Sequence, residues 1–160
     1  MADTIDELPP GIRETDAIPV RKLQSDDLEA IVEIDRQATG LLRQEFYRSK
    51  LARAMEDSSL QLSLAAELDD RVVGFVIVSF YYGEFGVPEQ VAVIEAIGVH
   101  PAYRGQLVGT ALLEQLVMNL RALGVERIRT EVDWDQRDLL LFLAQQEFEP
   151  ARRFCLEREL

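Results

Sequence analysis

The residues best suited to chemistry lie in one short run, Arg104-Gly105-Gln106-Leu107-Val108-Gly109-Thr110. Before it stands an apolar stretch, Val91 to Val99, bounded by Gly98 and Pro101, with the β-branched content of a buried strand. After it, Val108, Leu112, Leu113, Leu116, Val117 and Leu120 repeat at helical spacing. A loop that opens a helix presents backbone N–H groups with no partner inside the helix, at the positive end of the dipole. Such a place binds an anion, and Gly105 and Gly109, lacking Cβ, would let a phosphate approach the main chain. A nucleotide-hydrolase loop needs Lys then Ser/Thr after its last glycine, but Gly109 is followed by Thr110 and Ala111. The three glycines of a dinucleotide fingerprint are missing as well. Spacing alone therefore gives a phosphate or pyrophosphate site, or an ordinary tight strand-to-helix turn.

The residue types narrow this. Ile97-Gly98-Val99-His100-Pro101-Ala102-Tyr103-Arg104-Gly105-Gln106-Leu107-Val108-Gly109-Thr110-Ala111-Leu112-Leu113 resembles the acyl-CoA-binding motif of the GNAT superfamily of N-acetyltransferases. Val99, Pro101, Tyr103, Arg104, Gly105, Val108, Gly109, Ala111, Leu112 and Leu113 match the family pattern. Leu107 stands where the family usually has its middle glycine, and is expected to fit with a negative φ. Glu131 to Phe148 is similar, without gaps, to the family's later strand–helix unit: Glu131, Val132, Phe142 and Phe148 match. Gln136 replaces the usual Asn, Leu143 the usual Tyr and Glu147 the usual Gly. The resemblance covers most of the chain from about Ile18 onward.

It implies an acetyl-CoA-dependent N-acetyltransferase. Acetyl-CoA would be bound by Ile97, Gly98, Val99, Arg104, Gly105, Gln106, Leu107, Val108, Gly109, Thr110, Gln136 and Phe142, with no metal. Amine acylation needs a base for the ammonium, a donor for the oxyanion and a proton for the CoA thiolate. The resemblance places a backbone N–H near Ile97 on the carbonyl oxygen, and Glu131 where some members keep their base. Glu95 is the other base, expected to share a face with Ile97 and to have its pKa lifted by burial. The usual acid position is Leu143, which cannot donate, so Tyr81, Tyr82, Tyr103 or water must serve. The departures at Leu107 and Leu143 keep two other readings open: a non-catalytic acyl-CoA-binding module, and an interaction domain that retains only the fold.

The elements that must position these residues read as β-α-α-β-β-β-α-β-α-β. Ile18 to Leu23 is a first strand; Asp26 and Glu29 form a capping box before a helix bearing Leu28, Ile31 and Val32 and ending near Gly40. Tyr47, Leu51, Ala54 and Met55 mark a second helix, with Arg43, Arg48, Lys50 and Arg53 on its other face. Leu60 to Leu68 and Arg71 to Tyr82 form a hairpin around Asp69-Asp70, followed by an aromatic loop, Phe80 to Pro88, that could contact acceptor or partner. Arg127 to Val132, a helix from Gln136 to Gln146, and a terminal strand from Arg153 to Glu159 complete the chain. The fold class is α/β (α+β). A mixed, mostly antiparallel sheet carries helices on both faces, and the resemblance implies a splayed parallel strand pair that takes CoA. Trp134 would pack on pantetheine or be half-buried, and His100 would line the CoA site or be a solvent-exposed loop histidine.

The length, 160 residues, fits one domain, residues 17–160, behind an acidic flexible leader, residues 1–16. Net charge of −12 argues against a nucleic-acid partner and suits a basic acceptor, whether a small amine, a lysine or a protein N-terminus. A single cysteine, Cys155, suits a reducing, cytoplasmic setting. No apolar run approaches the roughly 18 residues of a membrane span. The aromatic loop and terminal strand make a homodimer an expectation.

Overall fold

The structure is a computed structural model that describes residues 13–56, 62–83, 86 and 88–160. Nine elements follow in order: β1 (Val20–Lys22), α1 (Leu28–Thr39), α2 (Gln44–Glu56), β2 (Leu64–Leu68), β3 (Arg71–Tyr82), β4 (Gln90–Val99), α3 (Val108–Ala122), β5 (Ile128–Thr130) and α4 (Arg137–Gln145). The strands form one sheet in the order β1-β2-β3-β4-β5, antiparallel except for the parallel β4–β5 pair.

The mixed sheet follows from patterning. β3 is buried without a break from Val73 to Val78, as a central strand covered on both faces must be. On one face Val76, Val78 and Ile94 pack with Val108, Leu112 and Leu116 of α3 and Leu143 of α4. On the other, Phe75 and Ile77 meet Ile31 and Ile34 of α1 and Tyr47 and Leu51 of α2. Each large side chain so buried contributes about 1.5–3 kcal/mol. The β2–β3 turn puts Asp69 and Asp70 at φ 52° and 56°, the mirror-image turn that matches strand twist in a two-residue hairpin. α1 stops where Gly40 turns left-handed at φ 75° and its N–H bonds Arg36 O at 2.8 Å.

Two ion clusters tie the helical layer down. Arg21 of β1 donates to both carboxylate oxygens of Asp27 at 2.8 Å and to Glu67 of β2 at 2.8 Å. Arg43 donates to the buried Asp35 at 2.9 Å, and the Tyr47 hydroxyl donates to the same carboxylate at 2.9 Å, joining α1 to α2.

Several expectations are corrected. The first cap is built by Asp27, whose carboxylate accepts the Gln24 N–H at 2.8 Å, not by Asp26 and Glu29. Strand bounds shorten to Val20–Lys22 and Ile128–Thr130; Leu60 and Gln61 lie outside the described residues. Of the expected leader, residues 1–12 lie outside them too. Glu14–Ala17 is instead a 3-10 turn, whose buried Thr15 donates to Glu114 of α3 at 2.6 Å. β3 forms with the expected bounds, Arg71–Tyr82, so Phe80, Tyr81 and Tyr82 lie at its end and not in the loop that follows; Glu84, Phe85 and Val87 are outside the described residues. The terminal strand does not form: residues 150–160 adopt no regular element, and Phe154 and Leu156 are fully exposed, because no neighbouring strand receives their alternation.

Candidate functional site

The site grows from an irregularity in β4. Ala96 pairs with Ile77 but Ile94 pairs with Val78, so Glu95 is an extra residue, a β-bulge. Before the bulge, β4 turns its even-numbered backbone groups toward β5: the Ala92 N–H reaches Arg127 O at 3.0 Å and Ile94 O accepts from the Thr130 hydroxyl at 3.0 Å. After it the order reverses. The His100 N–H bonds Val73 O of β3 at 2.8 Å, so by alternation Gly98 and Ala96 also face β3. Ile97 and Val99 then direct their N–H and C=O groups to the β5 side. β5 pairs only as far as Ile94, so the parallel strands part there. The bulge thus aims the Ile97 and Val99 amides into the mouth of the split.

The bulge also overturns the expectation that Glu95 and Ile97 share a face. Ile97 packs with Ile94 on the α3 side, whereas Glu95 points into the α1–α2 layer. There its buried carboxylate forms an ion pair with Lys50 of α2 and accepts the Tyr81 hydroxyl at 2.9 Å. Burial pushes its pKa up, but the Lys50 ammonium and the Ser79 and Tyr81 hydroxyls outweigh that and hold it below the ordinary carboxylate range. The expected upward shift is therefore reversed, because the charge is buried with partners and not alone. The sequence could not show Lys50 and Tyr81 as its partners, since they meet it only through packing. Nor could it show the bulge that aims it at them.

On the other wall, the loop ends where Ala111 N–H bonds Leu107 O at 2.9 Å. The Val108, Gly109 and Thr110 amides fall in the first turn of α3 with no partner inside the helix. Arg104 leads in at φ −64°, Gly105 turns left-handed at φ 75°, and the Gln106 side chain donates to Ala102 O at 3.3 Å, bracing the loop. Leu107 is also left-handed, φ 64°, with its side chain partly exposed. This corrects the expected negative φ: the turn requires the conformation that the usual glycine adopts freely, and leucine bears it at about 1–2 kcal/mol.

The two glycines differ in use. A Cβ on Gly105 would meet nothing within 4 Å, so its main chain is open to a ligand. A Cβ on Gly109 would stand 2.9 Å from Phe142 of α4, so this glycine lets α4 pack across the end of α3 rather than admitting phosphate. Gly98 likewise serves packing, since its Cβ would fall 2.7 Å from Phe75. Gln146, the residue that follows α4, donates to the Thr110 hydroxyl at 3.2 Å. Phe142 and Thr110 thus hold the loop's helix in place.

The remaining candidates are dispersed around the split. Glu131 is exposed directly after β5, and Gln136 is exposed at the start of α4. Tyr103 closes the 3-10 turn Pro101–Tyr103, its ring edge-on to His100 at 5.8 Å. His100 accepts the Ala102 N–H at 3.2 Å and so caps that turn. Trp134 is 88% exposed and packs on nothing that would half-bury it. Leu143, at the usual tyrosine position, is buried in the core. Glu147 is left-handed, φ 65°, with the Phe148 N–H on Leu143 O at 3.0 Å. The helix end is therefore built as it would be with glycine, Glu147 taking the left-handed position itself. Among the described residues no group of three or more His, Cys, Asp or Glu could hold a metal ion, and no helix is long and apolar enough to cross a membrane.

The arrangement matches known proteins. Solved structures share the fold over nearly the whole domain. The structure of AAC(6')-Iy with the bisubstrate analogue CoA-S-monomethyl-acetylneamine aligns at TM-score 0.73 and 17% identity, covering 89% of this chain and 98% of that one. A transcriptional regulator from Bacillus halodurans C-125 aligns at 0.68 and 24%, covering 89% and 99%. The ribosomal-protein-alanine N-acetyltransferase of Brucella melitensis biovar Abortus 2308 aligns at 0.69 and 18%, covering 89% and 99%. A comparison with curated protein sequences returned no match. The model of the acetyltransferase (GNAT) family matches residues 25–148, a span that holds the bulge, the split and both helices around the loop. The chain belongs to the acetyltransferase (GNAT) family and is an acetyl-CoA-dependent N-acetyltransferase.

Proposed function

We propose that the chain transfers the acetyl group of acetyl-CoA to a primary amine by direct attack on the thioester. The observation that carries this is the pairing of two donor sets at one split. The outward amides of Ile97 and Val99 face it from β4, and the first-turn amides of α3 open beside it. In this reading the Gly105 to Thr110 main chain and Arg104 hold the pyrophosphate, and the Ile97 N–H takes the carbonyl oxygen. Gln136 and the α4 face bearing Phe142 flank the cofactor. As the neutral amine attacks the carbonyl carbon, charge moves to oxygen, where one well-placed donor is worth about 3–4 kcal/mol. Collapse breaks the C–S bond, and the thiolate takes a proton.

Glu131, solvent-accessible at the end of β5, removes the ammonium proton directly or through water. Glu95 is a poor base, because its partners favour the ionised form, and it suits holding an ammonium instead. Tyr103 is the proposed proton donor to the thiolate. The −12 charge favours a cationic acceptor, a cytoplasmic setting accords with the lone Cys155, and residues 17–160 act as one unit.

Calorimetric titration with acetyl-CoA tests the reading. Wild type should bind, and Gly105→Asp should not: aspartate tolerates the left-handed backbone but sets a negative charge among the amides. An amine screen on the binding-competent protein should then show turnover, reduced by Glu131→Gln and Tyr103→Phe. Equal binding by the two proteins would move the cofactor away from this loop.

A further inference from the structure

The chain places one of its own ammonium groups on the β4 bulge, beside the split. Lys50 of α2 reaches the β4 bulge and pairs with Glu95, whose carboxylate also accepts the Tyr81 hydroxyl. The same ammonium lies over the ring of Phe46, one turn earlier on α2, at 5.7 Å from its centroid. A carboxylate braced by a phenol, with an aromatic face beside it, holds this one cation as an amine-recognition pocket would. Its occupant is a primary amine of the class the transferase reading requires. Glu95 lies two residues before Ile97 on β4, so the ammonium it holds sits next to the strand segment whose amides face the split. Lys50 keeps a quarter of its side chain exposed, so it is open to solvent on one side. Composition points the same way. Of 17 basic residues only Lys22 and Lys50 are lysines; the other 15 are arginines, which are not acylated. Lys22 lies exposed on the edge strand β1, away from the split.

We propose that Lys50 is a modification site: the enzyme acetylates its own lysine, seated on Glu95, with acetyl-CoA as donor. The proposal rests on the transferase reading above. The Lys50 ammonium gives up one proton to the base or to solvent, and its nitrogen attacks the thioester carbon. The C–N bond forms, the C–S bond breaks, and CoA leaves as the thiol after taking a proton; one proton is released overall. Acetylation removes the charge of Lys50 and leaves Glu95 free for the ammonium of an external acceptor. The modification thereby clears the acceptor pocket.

The full-length protein is incubated with acetyl-CoA, digested with trypsin and mapped by mass spectrometry over time. The expected result is one acetyl group on Lys50, appearing roughly tenfold or more faster than on the exposed Lys22, which reports uncatalysed acetylation. Lys50→Arg should lose the modification while still binding acetyl-CoA, and Glu95→Gln should slow it by a similar factor. Tyr81→Phe, a milder change to the same pocket, should slow it less and guards against a folding defect in Glu95→Gln. Equal rates at the two lysines overturn the proposal, as does an unmodified Lys50 in a preparation that acetylates added amines. A preparation that binds acetyl-CoA yet acetylates neither itself nor any amine overturns the transferase reading instead, and the proposal with it.

Discussion

At the scale of single residues, two side chains stand where glycine would be unstrained. Leu107 and Glu147 hold φ of 64° and 65°, each at about 1–2 kcal/mol. Replacing Leu107 by glycine relieves that strain but widens the unfolded ensemble, for a net gain of about 0.5–1 kcal/mol. A rise of a few degrees in Tm, with acetyl-CoA affinity maintained, is expected in a thermal melt run with and without the cofactor. A fall in Tm would mean that the leucine side chain has packing partners worth more than the strain. The opposite holds at Gly109. A methyl group there meets the Phe142 ring at 2.9 Å, so Gly109→Ala should destabilise by about 1–3 kcal/mol and weaken cofactor binding by tilting α3 against α4. Denaturant titration alongside calorimetry checks both. These positions also show what a sequence conceals. The run from Arg104 to Gly109 shows by residue type a glycine-containing turn into a helix, but which glycine lies open and which packs against protein depends on α4, whose packing is not written in the loop.

At the scale of elements, the β4 bulge decides the site. Period-two reasoning placed Glu95 beside Ile97, and an unbulged strand would have put it there. One inserted residue sends the carboxylate to α2 and the following amides to the split. The helices were legible because their apolar spacing is long and regular. The two short edge strands were legible as strands but drawn too long, and the 3-10 turns were missed, since too few residues carry their pattern. The terminal strand failed for a related reason: alternation specifies a strand only when a neighbour pairs with it. Ion pairs between elements give the fold a predictable acid response. Burial raises the pKa of Asp27, but its bonds to Arg21 and the Gln24 N–H outweigh this; Glu95 is similarly depressed below its ordinary value of 4.5. A carboxylate with a depressed folded pKa stabilises fully above its unfolded pKa and loses that contribution as pH falls through the folded one. Stability should therefore decline on acidification from about pH 4.5 downward. Asp27→Asn should lower stability at neutral pH and flatten that decline in urea melts taken at a series of pH values. An unchanged acid slope would locate the response elsewhere.

At the scale of the whole molecule, charge and composition were the most readable features and the least specific. A net charge of −12 would favour the approach of a cationic acceptor of the kind proposed above. For such an acceptor KM should rise severalfold between roughly 0.05 and 0.5 M salt, with kcat little changed, because screening acts on encounter. A salt-independent KM would remove long-range steering from the account. The domain as a whole was foreseeable from one well-preserved motif and one degraded one. The acceptor was not, because no motif in the chain constrains the side chains that would select one amine over another.

The turned backbone of β4 leaves a signature that can be read without any substrate. Along this interior strand the amide hydrogens should exchange with solvent deuterium in alternation. Those of Ala96, Gly98 and His100, bonded to β3, exchange slowly; those of Ile97 and Val99, facing the split, exchange fast. Fast exchange in the middle of a sheet is the footprint of a strand kept deliberately half-paired. When acetyl-CoA is added, Ile97 should slow markedly while its β3-facing neighbours stay as they were, so a single residue's isotope label would report where the thioester docks.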